Sequence, residues 1–384
     1  MRKSPGRRLA LTLAAALLCG LSLAGRAKGD VIGVMTQNLY VGADLGPPTA
    51  AVMTGDPAQI IPAVTQFWNQ VQATNFPQRA QAIAGEVAQA QPLLIGLQEA
   101  ALYRTGPVTG SPVPSAPTVA ADYVTTLLGA LAQRGLNYKV VAVTQNADVE
   151  LPGVIGGSLK DLRLTDRDVI LARADLPNSV FSLRNVQAGN FASYVSIPVG
   201  ASGLAIPYLR GWASVDATLN GYDFRFISTH LENVPGYQEA QAAELLAGPA
   251  NTSLPVILAG DFNSPADGSG PYGARVLLDG GFADAWSATH PGDPGFTWGQ
   301  DADLLNPTSH VTQRIDYVLF RGGPAAGGAS LVGADPSART PSGLWPSDHA
   351  GLVVGLATPV PEPTSLSLVA LGLGALGGRA LRRR

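Results

Sequence analysis

The fold of this chain is decided by the stretch Val256-Ile257-Leu258-Ala259-Gly260-Asp261-Phe262-Asn263-Ser264. Its apolar half is typical of a buried strand, and the strand ends where Asp261 and Asn263 present a carboxylate and a carboxamide. Residues two apart on an extended chain point to the same side. The pair therefore predicts a site that holds a metal ion, or a phosphoryl group beside one.

The same arrangement, an apolar strand with a polar group at or near its end, recurs along the chain. The other polar groups in such positions are Asn38, Glu99, His230, Asp316 and the pair Asp348-His349. A buried carboxylate needs a partner, and His349 is the obvious one for Asp316, which stands inside an apolar strand. Repetition of this kind is typical of one cleft to which several strands contribute.

Many short strands with a few helices between them predict the architecture. Strands are expected at residues 31–40, 93–97, 138–144, 169–172, 211–219, 222–229, 255–259, 314–320 and 351–356, and helices at 76–90, 122–134 and 238–246. Residues 49–73 have helical apolar spacing that is interrupted at Gly55-Asp56-Pro57 and at Pro62. Residues 153–164 are rich in glycine and are expected to be irregular. The pattern favours an α/β sandwich of two sheets, both covered by helices.

The N-terminus carries a predicted processing signal. Four basic residues among the first eight precede an apolar run at 9–24, which ends in small residues near 24–27. This is typical of a secretory signal peptide, assigned to residues 1–29. A membrane anchor would need about 20 apolar residues, and this run is shorter.

The C-terminus, residues 359–384, reads Val360-Pro361-Glu362-Pro363, then an apolar run at 366–378, then arginines. This order resembles the PEP-CTERM sorting signal of Gram-negative bacteria that make extracellular polysaccharide. The resemblance implies export, recognition by an exosortase, and a final location at the cell surface or in the extracellular matrix. A plain C-terminal anchor is the alternative.

The composition of the remaining residues, 30–358, is typical of one acidic globular domain. The chain has 384 residues, of which 46% are apolar and 14% charged. Its single cysteine, Cys19, lies in the predicted signal peptide, so a disulfide framework is excluded for the mature domain. Outside the two terminal segments, 15 basic and 27 acidic residues give a net charge of −12. Such a surface binds polyanions poorly, so a phosphate substrate would need a divalent metal ion for attraction.

Six motifs together resemble the endonuclease/exonuclease/phosphatase family of metal-dependent phosphoesterases. They are Gln37-Asn38, Leu97-Gln98-Glu99, Thr229-His230-Leu231, Gly260-Asp261-Phe262-Asn263, Arg314-Ile315-Asp316-Tyr317-Val318 and Ser347-Asp348-His349, in the family's order. The family includes DNase I-like nucleases, neutral sphingomyelinases and inositol polyphosphate phosphatases. The resemblance implies a four-layer α/β/β/α sandwich, with two mainly antiparallel sheets packed face to face and helices outside.

The resemblance also implies roles for the metal and water side of the site. Glu99 resembles the principal ligand of Mg²⁺ or Mn²⁺, supported by Asn38, and Asp348 resembles a further ligand, direct or through water. Asp261 resembles the group that orients or deprotonates the attacking water. Asn263 would donate hydrogen bonds to the phosphoryl oxygens.

For the histidines, the resemblance implies that His349 stabilises the charged transition state as an imidazolium, with Asp316 accepting from its other ring nitrogen. His230 matches a second histidine that abasic-site endonucleases lack. Asp166 is the expected acid partner of His230, with Asp168 as the alternative.

Two arginines are considered as phosphate contacts, Arg167 and Arg210, with surface charges as the alternative. The tyrosine that some relatives place just before the acid partner is absent here, since Leu164 and Thr165 stand in its place. The segment 49–75 is longer than in compact relatives and could shape specificity.

The expected function is therefore exported, Mg²⁺- or Mn²⁺-dependent hydrolysis of phosphoester bonds by a monomeric protein. An extracellular nuclease is the first expectation for the substrate. The alternatives are a sphingomyelinase-like or inositol phosphatase-like phosphoesterase, and a non-catalytic surface or matrix protein that uses the same fold for binding. Basic residues along a long groove would favour DNA, whereas an apolar rim would favour lipid.

Overall fold

The computed structural model describes residues 29–111 and 113–359. Within them, Val31–Ala357 form one compact unit. The predicted signal peptide and sorting segment lie outside the described residues, apart from positions 29 and 359. No helix in the described ranges is long and apolar enough to cross a membrane.

The strands of this unit are given first, in chain order. They are β1 (Val31–Asn38), β2 (Leu94–Gln98), β3 (Leu102–Gly106), β4 (Thr118–Asp122), β5 (Tyr138–Ile155), β6 (Ser158–Arg173), β7 (Phe181–Asn190), β8 (Val195–Pro198), β9 (Ala205–Tyr208), β10 (Gly211–Leu219), β11 (Tyr222–His230), β12 (Val256–Asp261), β13 (Ala283–Asp284), β14 (Asp316–Arg321), β15 (Ala325–Val332) and β16 (Gly351–Ala357).

The helices are α1 (Gly46–Thr54), α2 (Pro57–Ala73), α3 (Phe76–Ala90), α4 (Tyr123–Gln133), α5 (Tyr237–Ala247), α6 (Gly273–Asp279) and α7 (Ala285–Thr289). Asp56 caps α2 by accepting a hydrogen bond from the backbone N–H of Ala58, and Pro57 takes the first helical position, where no N–H is needed. The expected interruption at Gly55-Asp56-Pro57 therefore separates two helices. The expected second interruption is wrong, because Pro62 lies inside α2.

Two large sheets carry the unit. The first has the order β15-β16-β1-β2-β6-β3-β4, with β5 paired to β6, and the second has the order β13-β14-β12-β11-β10-β7. Only β1–β2 and β11–β12 pair in parallel among the strands described, and the other pairs are antiparallel. The prediction of mainly antiparallel sheets is confirmed.

Alternating side chains place these sheets face to face. On β1, Val34 packs into the core between the sheets, whereas the next residue, Met35, packs into the core beneath α2, α3 and α4. On β12, Ile257 faces the first sheet and Leu258 faces α5 and α6. Because successive side chains on a strand point to opposite faces, each sheet has one sheet neighbour and one helix layer. The four-layer sandwich is therefore confirmed.

One expectation about regularity is wrong. Residues 153–164 are not irregular, since β5 and β6 form a long hairpin through them, joined by Gly156 and Gly157. Both glycines have positive φ, 59° and 78°, as a two-residue hairpin turn requires. Gly153 lies inside β5, where a Cβ would come within 2.9 Å of the Val64 side chain on α2. The glycines permit a turn and a close helix contact rather than disorder.

Candidate active site

The strand register of the second sheet brings three of the sequence-predicted residues side by side. His230 at the end of β11 is paired with Asp261 at the end of β12, and Asp261 is paired with Asp316 at the start of β14. All three side chains are at least 98% buried. Gly260 makes the close pairing possible, because a Cβ there would lie 2.0 Å from the Thr229 carbonyl oxygen.

Asn38 connects the first sheet to this row. From the end of β1, its Nδ2 donates to Glu99 Oε1 at 3.2 Å and to Asp261 Oδ2 at 3.0 Å. Glu99 directly follows β2 with a positive φ of 52°, and its Oε2 accepts from the backbone N–H of Val41 at 2.7 Å. One amide therefore fixes the carboxylates of both sheets relative to each other.

The loop before β16 supplies Asp348 and His349. His349 Nδ1 lies 2.9 Å from Asp316 Oδ2, and its Nε2 lies 3.7 Å from Asp261 Oδ2 and 4.0 Å from Asp348 Oδ1. Although burial lowers the pKa of His349, Asp316, Asp348 and Asp261 raise it well above its usual value. The surroundings therefore favour the imidazolium form of this ring.

The protonation state of Asp261 follows from the same contacts. Burial alone would raise the pKa of this carboxyl, but His230, His349 and the Asn263 backbone N–H hold it below its usual value. Asn263 adopts φ 49°, so its N–H reaches Asp261 Oδ1 at 2.9 Å while its Nδ2 donates to the Leu231 carbonyl oxygen at 2.9 Å. The structure thus brings Asp261 and Asn263 together as the sequence predicts, with Asp261 ionised.

Behind His230 stands an arginine, which sequence reasoning did not place there. Arg210 Nη1 lies 2.8 Å from His230 Nδ1, while His230 Nε2 lies 3.3 Å from Asp261 Oδ2. Burial and Arg210 lower the pKa of His230, whereas Asp261 and Asp168 raise it, and the net shift is upward. A guanidinium has no acceptor atom, so the Arg210 contact requires an unprotonated Nδ1. The ring hydrogen of the neutral form then lies on Nε2, which has Asp261 Oδ2 at 3.3 Å and the Asn263 amide nitrogen at 3.1 Å.

The expected acid partner of His230 is reached only through this arginine. Asp166 Oδ2 lies 3.4 Å from Arg210 Nη1, and its hydrogen-bond contacts with side chains are with Arg210 and Asn146. Asp168 is fully buried with neither carboxylate oxygen hydrogen-bonded, and burial raises its pKa to about 7. The prediction of a direct Asp166–His230 pair is therefore wrong in this geometry, because Arg210 lies between them.

Neither arginine considered as a phosphate contact is free to make one. Arg167 bonds Asp122 at 2.5 Å and the Ala100 carbonyl oxygen at 2.8 Å, and Arg210 is committed to His230 and Asp166. Residues 166 and 168 share one face of β6, so Arg167 between them points to the other face. The structure therefore does not place Arg167 where it could contact the substrate phosphate. The alternation of side chains along β6 explains why.

Two groups of side chains could hold a divalent cation. Asp261, Asp316 and His349 offer ligand atoms within 4.8 Å of one another, although His349 and Asp316 already bond each other. Glu99 and Asp348 form the other group. Burial raises the pKa of Asp348 to about 7, and the carboxylate of Glu99 adds to the shift. A hard cation prefers oxygen ligands and would relieve this repulsion, so the carboxylates fit one.

Apart from Asp316, the side chains of both groups line one cleft of about 780 Å³. Its wall includes Tyr40, Glu99, Arg210, His230, Asp261, Asn263, Trp298, Asp348 and His349. Outside it, His290 stacks on Trp286 and His310 forms an exposed pair with Asp301. Of the sequence-predicted residues, six line the cleft and four do not: Asn38, Asp166, Arg167 and Asp316.

Comparison with known proteins gives two matches to protein families. A model of the endonuclease/exonuclease/phosphatase family matches residues 35–349, and a model of the PEP-CTERM protein-sorting motif matches residues 359–384. The first match spans most of the chain, including all six motifs. No curated protein sequence matches.

Solved structures give the same fold. An endonuclease/exonuclease/phosphatase family protein from Bacteroides thetaiotaomicron superposes with a TM-score of 0.55 at 15% identity, covering 87% of this chain and 100% of that one. A mannosyl-6-phosphatase from the same species gives 0.50 at 16% identity, covering 85% and 99%. D. rerio TDP2, complexed with a single-stranded DNA product, gives 0.50 at 15%, covering 86% and 100%.

Proposed function

The chain belongs to the endonuclease/exonuclease/phosphatase family, whose members are divalent-metal-dependent phosphoesterases, and we propose that it hydrolyses small or amphiphilic phosphoesters with Mg²⁺ or Mn²⁺. The observation that carries this proposal is the convergence of both histidines on Asp261, with Asn38 linking Asp261 to Glu99. Four strand ends and one loop meet there. A binding protein would not need this arrangement of proton donors and acceptors.

Each residue has a role that its contacts support. Asp261, kept ionised by its neighbours, accepts a proton from the attacking water or orients it. His349, kept protonated, donates to a phosphoryl oxygen as negative charge develops. His230 offers a neutral Nε2–H beside Asp261. Asn263 is placed between the His230 ring and the Leu231 carbonyl, with its amide at the cleft wall.

Glu99 and Asp348, supported by Asn38, are the proposed metal ligands. A bound divalent cation would supply Lewis-acid polarisation of the phosphoryl oxygens. The residues themselves supply orientation, because Glu99 is held at one oxygen by Asn38 and at the other by the Val41 N–H.

The substrate class follows from where the basic residues are. Each of the thirteen arginines that the structure describes donates a hydrogen bond to an acceptor within the protein. The two described lysines, Lys139 and Lys160, lie on β5 and β6 and are absent from the cleft wall. Nucleic acids are bound chiefly by free basic side chains along the backbone path. The described surface offers no such path.

The cleft wall is instead acidic and apolar. Asp44, Glu99, Glu232, Asp261 and Asp348 contribute the acids. Exposed apolar side chains stand at its mouth, including Met53, Val234 and Trp298, which are 52%, 37% and 38% exposed. An acidic wall with an apolar rim favours the lipid-like or small phosphoester alternatives over the nuclease.

The nuclease remains the second candidate. The fold itself accommodates both chemistries, since one structural neighbour is a mannosyl-6-phosphatase and another was solved with a single-stranded DNA product. Those substrates belong to those proteins. For this chain, the charge of the cleft wall supports the proposal of a small or amphiphilic ester.

Location limits the substrate further. The PEP-CTERM motif implies exosortase recognition, export, and sorting to the cell surface or extracellular matrix. We propose a Gram-negative host and a monomeric mature domain of residues 30–358. Substrates would then be phosphoesters outside the inner membrane.

The test is an assay of the purified protein with Mg²⁺, Mn²⁺ or EDTA on four substrates: methyl 4-nitrophenyl phosphate, sphingomyelin, an inositol phosphate and single-stranded DNA. We expect metal-dependent hydrolysis of at least one non-nucleic-acid ester, and loss of it in Asp261→Ala. Equal activity in that variant, or none on any substrate, would sink the proposal. Calorimetric Mg²⁺ binding that Glu99→Ala abolishes, without hydrolysis, would indicate the binding-protein alternative instead.

A further inference from the structure

A second, narrower cavity opens beside the catalytic cleft. It has a volume of about 80 Å³ and lies between α1, α2, the β5–β6 hairpin and the small β8–β9 hairpin. Seven residues line both the cavity and the cleft, among them Glu99, Tyr208 and Arg210. The two spaces therefore adjoin at the carboxylate that we propose as a metal ligand.

The cavity wall is almost entirely apolar. Its side chains include Val52 from α1, Phe67 from α2, Leu162 and Leu164 from β6, and Ile197 and Ile206 from β8 and β9. The residues with polar groups in its lining are Thr49, Glu99, Asp166, Tyr208 and Arg210, and four of these five also line the cleft. A ligand that enters from the cleft therefore contacts the charged side chains first and the apolar side chains of the cavity after them.

The roof of this cavity is held by backbone contact. The loop between β8 and β9 reaches the end of α1, where Gly200 and Gly55 meet so closely that a Cβ on Gly200 would lie 2.8 Å from the Gly55 Cα. Both glycines have positive φ, 51° and 70°. The end of α1 and the β8–β9 loop, which enclose the space, are therefore in direct backbone contact.

Resting on the proposed phosphoester hydrolysis, we propose that this cavity is a subsite for an alkyl chain of the substrate. With about 80 Å³, the cavity is smaller than a cavity of roughly 150 Å³ that binds benzene, so it suits a slender chain better than a free aromatic ligand. A slender aliphatic chain does fit, and its phosphoester would remain in the cleft beside Glu99. The substrate class is therefore an alkyl phosphoester, either a soluble one or a phospholipid.

The test measures chain length by two independent readouts. Calorimetry gives the affinity of methyl, ethyl, propyl and butyl phosphate for the protein with Mg²⁺, relative to inorganic phosphate. Release of 4-nitrophenolate gives kcat/KM for the matching alkyl 4-nitrophenyl phosphates. We expect both to rise by roughly fourfold per methylene until the cavity is full.

A matched pair of variants assigns the effect to the cavity. Val149→Phe places a ring into the cavity from β5, whereas Val154→Phe adds the same ring on the same strand at a position 41% exposed and outside the lining. We expect Val149→Phe to lose the chain-length dependence and keep methyl ester hydrolysis, and Val154→Phe to keep both. If Val149→Phe fails to fold, Ile206→Phe fills the cavity from the opposite hairpin.

The outcomes separate this proposal from the one on which it rests. Hydrolysis of the methyl ester with no gain on longer chains, in both readouts, would overturn the alkyl subsite and leave the hydrolase standing. No hydrolysis together with chain-dependent affinity would overturn the hydrolase and support the subsite. Hydrolysis of a long-chain phospholipid in vesicles would identify a lipid as the source of the chain, and hydrolysis of monomeric esters alone would identify a soluble one.

Discussion

Two buried histidines face the same carboxylate, and they differ in what stands behind the ring. His349 has Asp316 at its Nδ1, 2.9 Å away, and His230 has Arg210 at its Nδ1, 2.8 Å away. Both present Nε2 to Asp261, at 3.7 Å and 3.3 Å. A carboxylate behind an imidazole favours its charged form, and a guanidinium there disfavours it. The contacts at Nδ1 therefore favour a cationic ring for His349 and a neutral ring for His230, around one base.

This difference shows that two histidines predicted from the same strand-end pattern need not have the same protonation state. Each histidine follows the strand-end pattern in the sequence. The neighbour that sets its protonation comes from elsewhere in the chain, from β14 for His349 and from the residue before β10 for His230. The predictions below remove these neighbours in turn.

The largest expected effect comes from Asp316→Asn. Without the carboxylate, the pKa of His349 falls, so the imidazolium is lost at lower pH and the alkaline limb of the kcat profile moves down. We expect kcat at neutral pH to fall by about 10³- to 10⁴-fold, as for other buried Asp–His pairs. The pH dependence of kcat measures both changes.

The control is a second Asp–His pair on the surface. His310 and Asp301 lie 2.9 Å apart and are both about half exposed. Asp301→Asn should leave kcat and its pH profile unchanged. A wild-type profile in Asp316→Asn would remove the distinction between the two histidines.

Next in size is Arg210→Met. The substitution leaves His230 Nδ1 without a donor and the buried Asp166 without its cation. Because Arg210 no longer lowers the pKa of His230, the neighbouring Asp261 favours the protonated ring. We expect kcat to fall by roughly 10²-fold, with partial recovery in Arg210→Lys. Kinetics on the folded fraction, measured by circular dichroism, separates this loss from lower stability.

Arg184 provides the matched control for that substitution. Its ion pair with Asp223 is about half exposed on both sides, so Arg184→Met should change the free energy of unfolding by less than about 1 kcal/mol. If Arg184→Met and Arg210→Met reduced kcat equally, Arg210 would have no specific effect on His230.

Asn38→Ala tests the metal side without touching either ring. Asn38 donates to Glu99 and Asp261 and to neither histidine. Removing a residue that holds a metal ligand costs about 10- to 100-fold in metal affinity. We expect the half-saturating Mg²⁺ concentration to rise by that factor with an unchanged pH profile. A shifted profile would indicate that Asn38 acts through the histidines.

In contrast to the two histidines, the buried carboxyl group of Glu86 has no charged partner among the residues described. Glu86 on α3 has neither carboxylate oxygen hydrogen-bonded, and burial raises its pKa to about 8. The folded protein keeps this proton while the unfolded chain loses it near pH 4.5, so stability falls as the pH rises from about 4.5 to 8. The loss is roughly 3–5 kcal/mol. Urea unfolding of Glu86→Gln should show a flatter pH dependence, and an unchanged one would contradict the assignment.

Much of the fold follows from local patterns. The apolar run at 31–40 predicts β1 through burial. The runs at 211–219 and 222–229 form a hairpin, in which Asn220 and Gly221 adopt the positive φ of a tight turn. The strand ends also bring His230, Asp261 and Asp316 into one row, because adjacent strands end at the same edge. The roles assigned to these residues remain predictions.

The remaining features depend on contacts between distant segments. Arg210 follows a region, residues 174–208, in which the sequence pattern assigned no strand, so its position behind His230 could not be read from spacing. The glycine-rich residues 153–164 predict an irregular segment, although two adjacent glycines such as Gly156-Gly157 equally form a hairpin turn. The alkyl cavity arises where segment 49–75 packs on β5 and β6, a contact that no local signal in the sequence records.

The most direct test of the asymmetry is long-range ¹H–¹⁵N NMR of the imidazoles. The chain has four histidines, so His230 and His349 can be assigned from His230→Gln and His349→Gln. At pH 7.5 we predict ¹⁵N shifts of an imidazolium for His349 and of a neutral Nε2–H tautomer for His230. Two rings with the same protonation state, or a protonated Nδ1 on His230, would contradict the account.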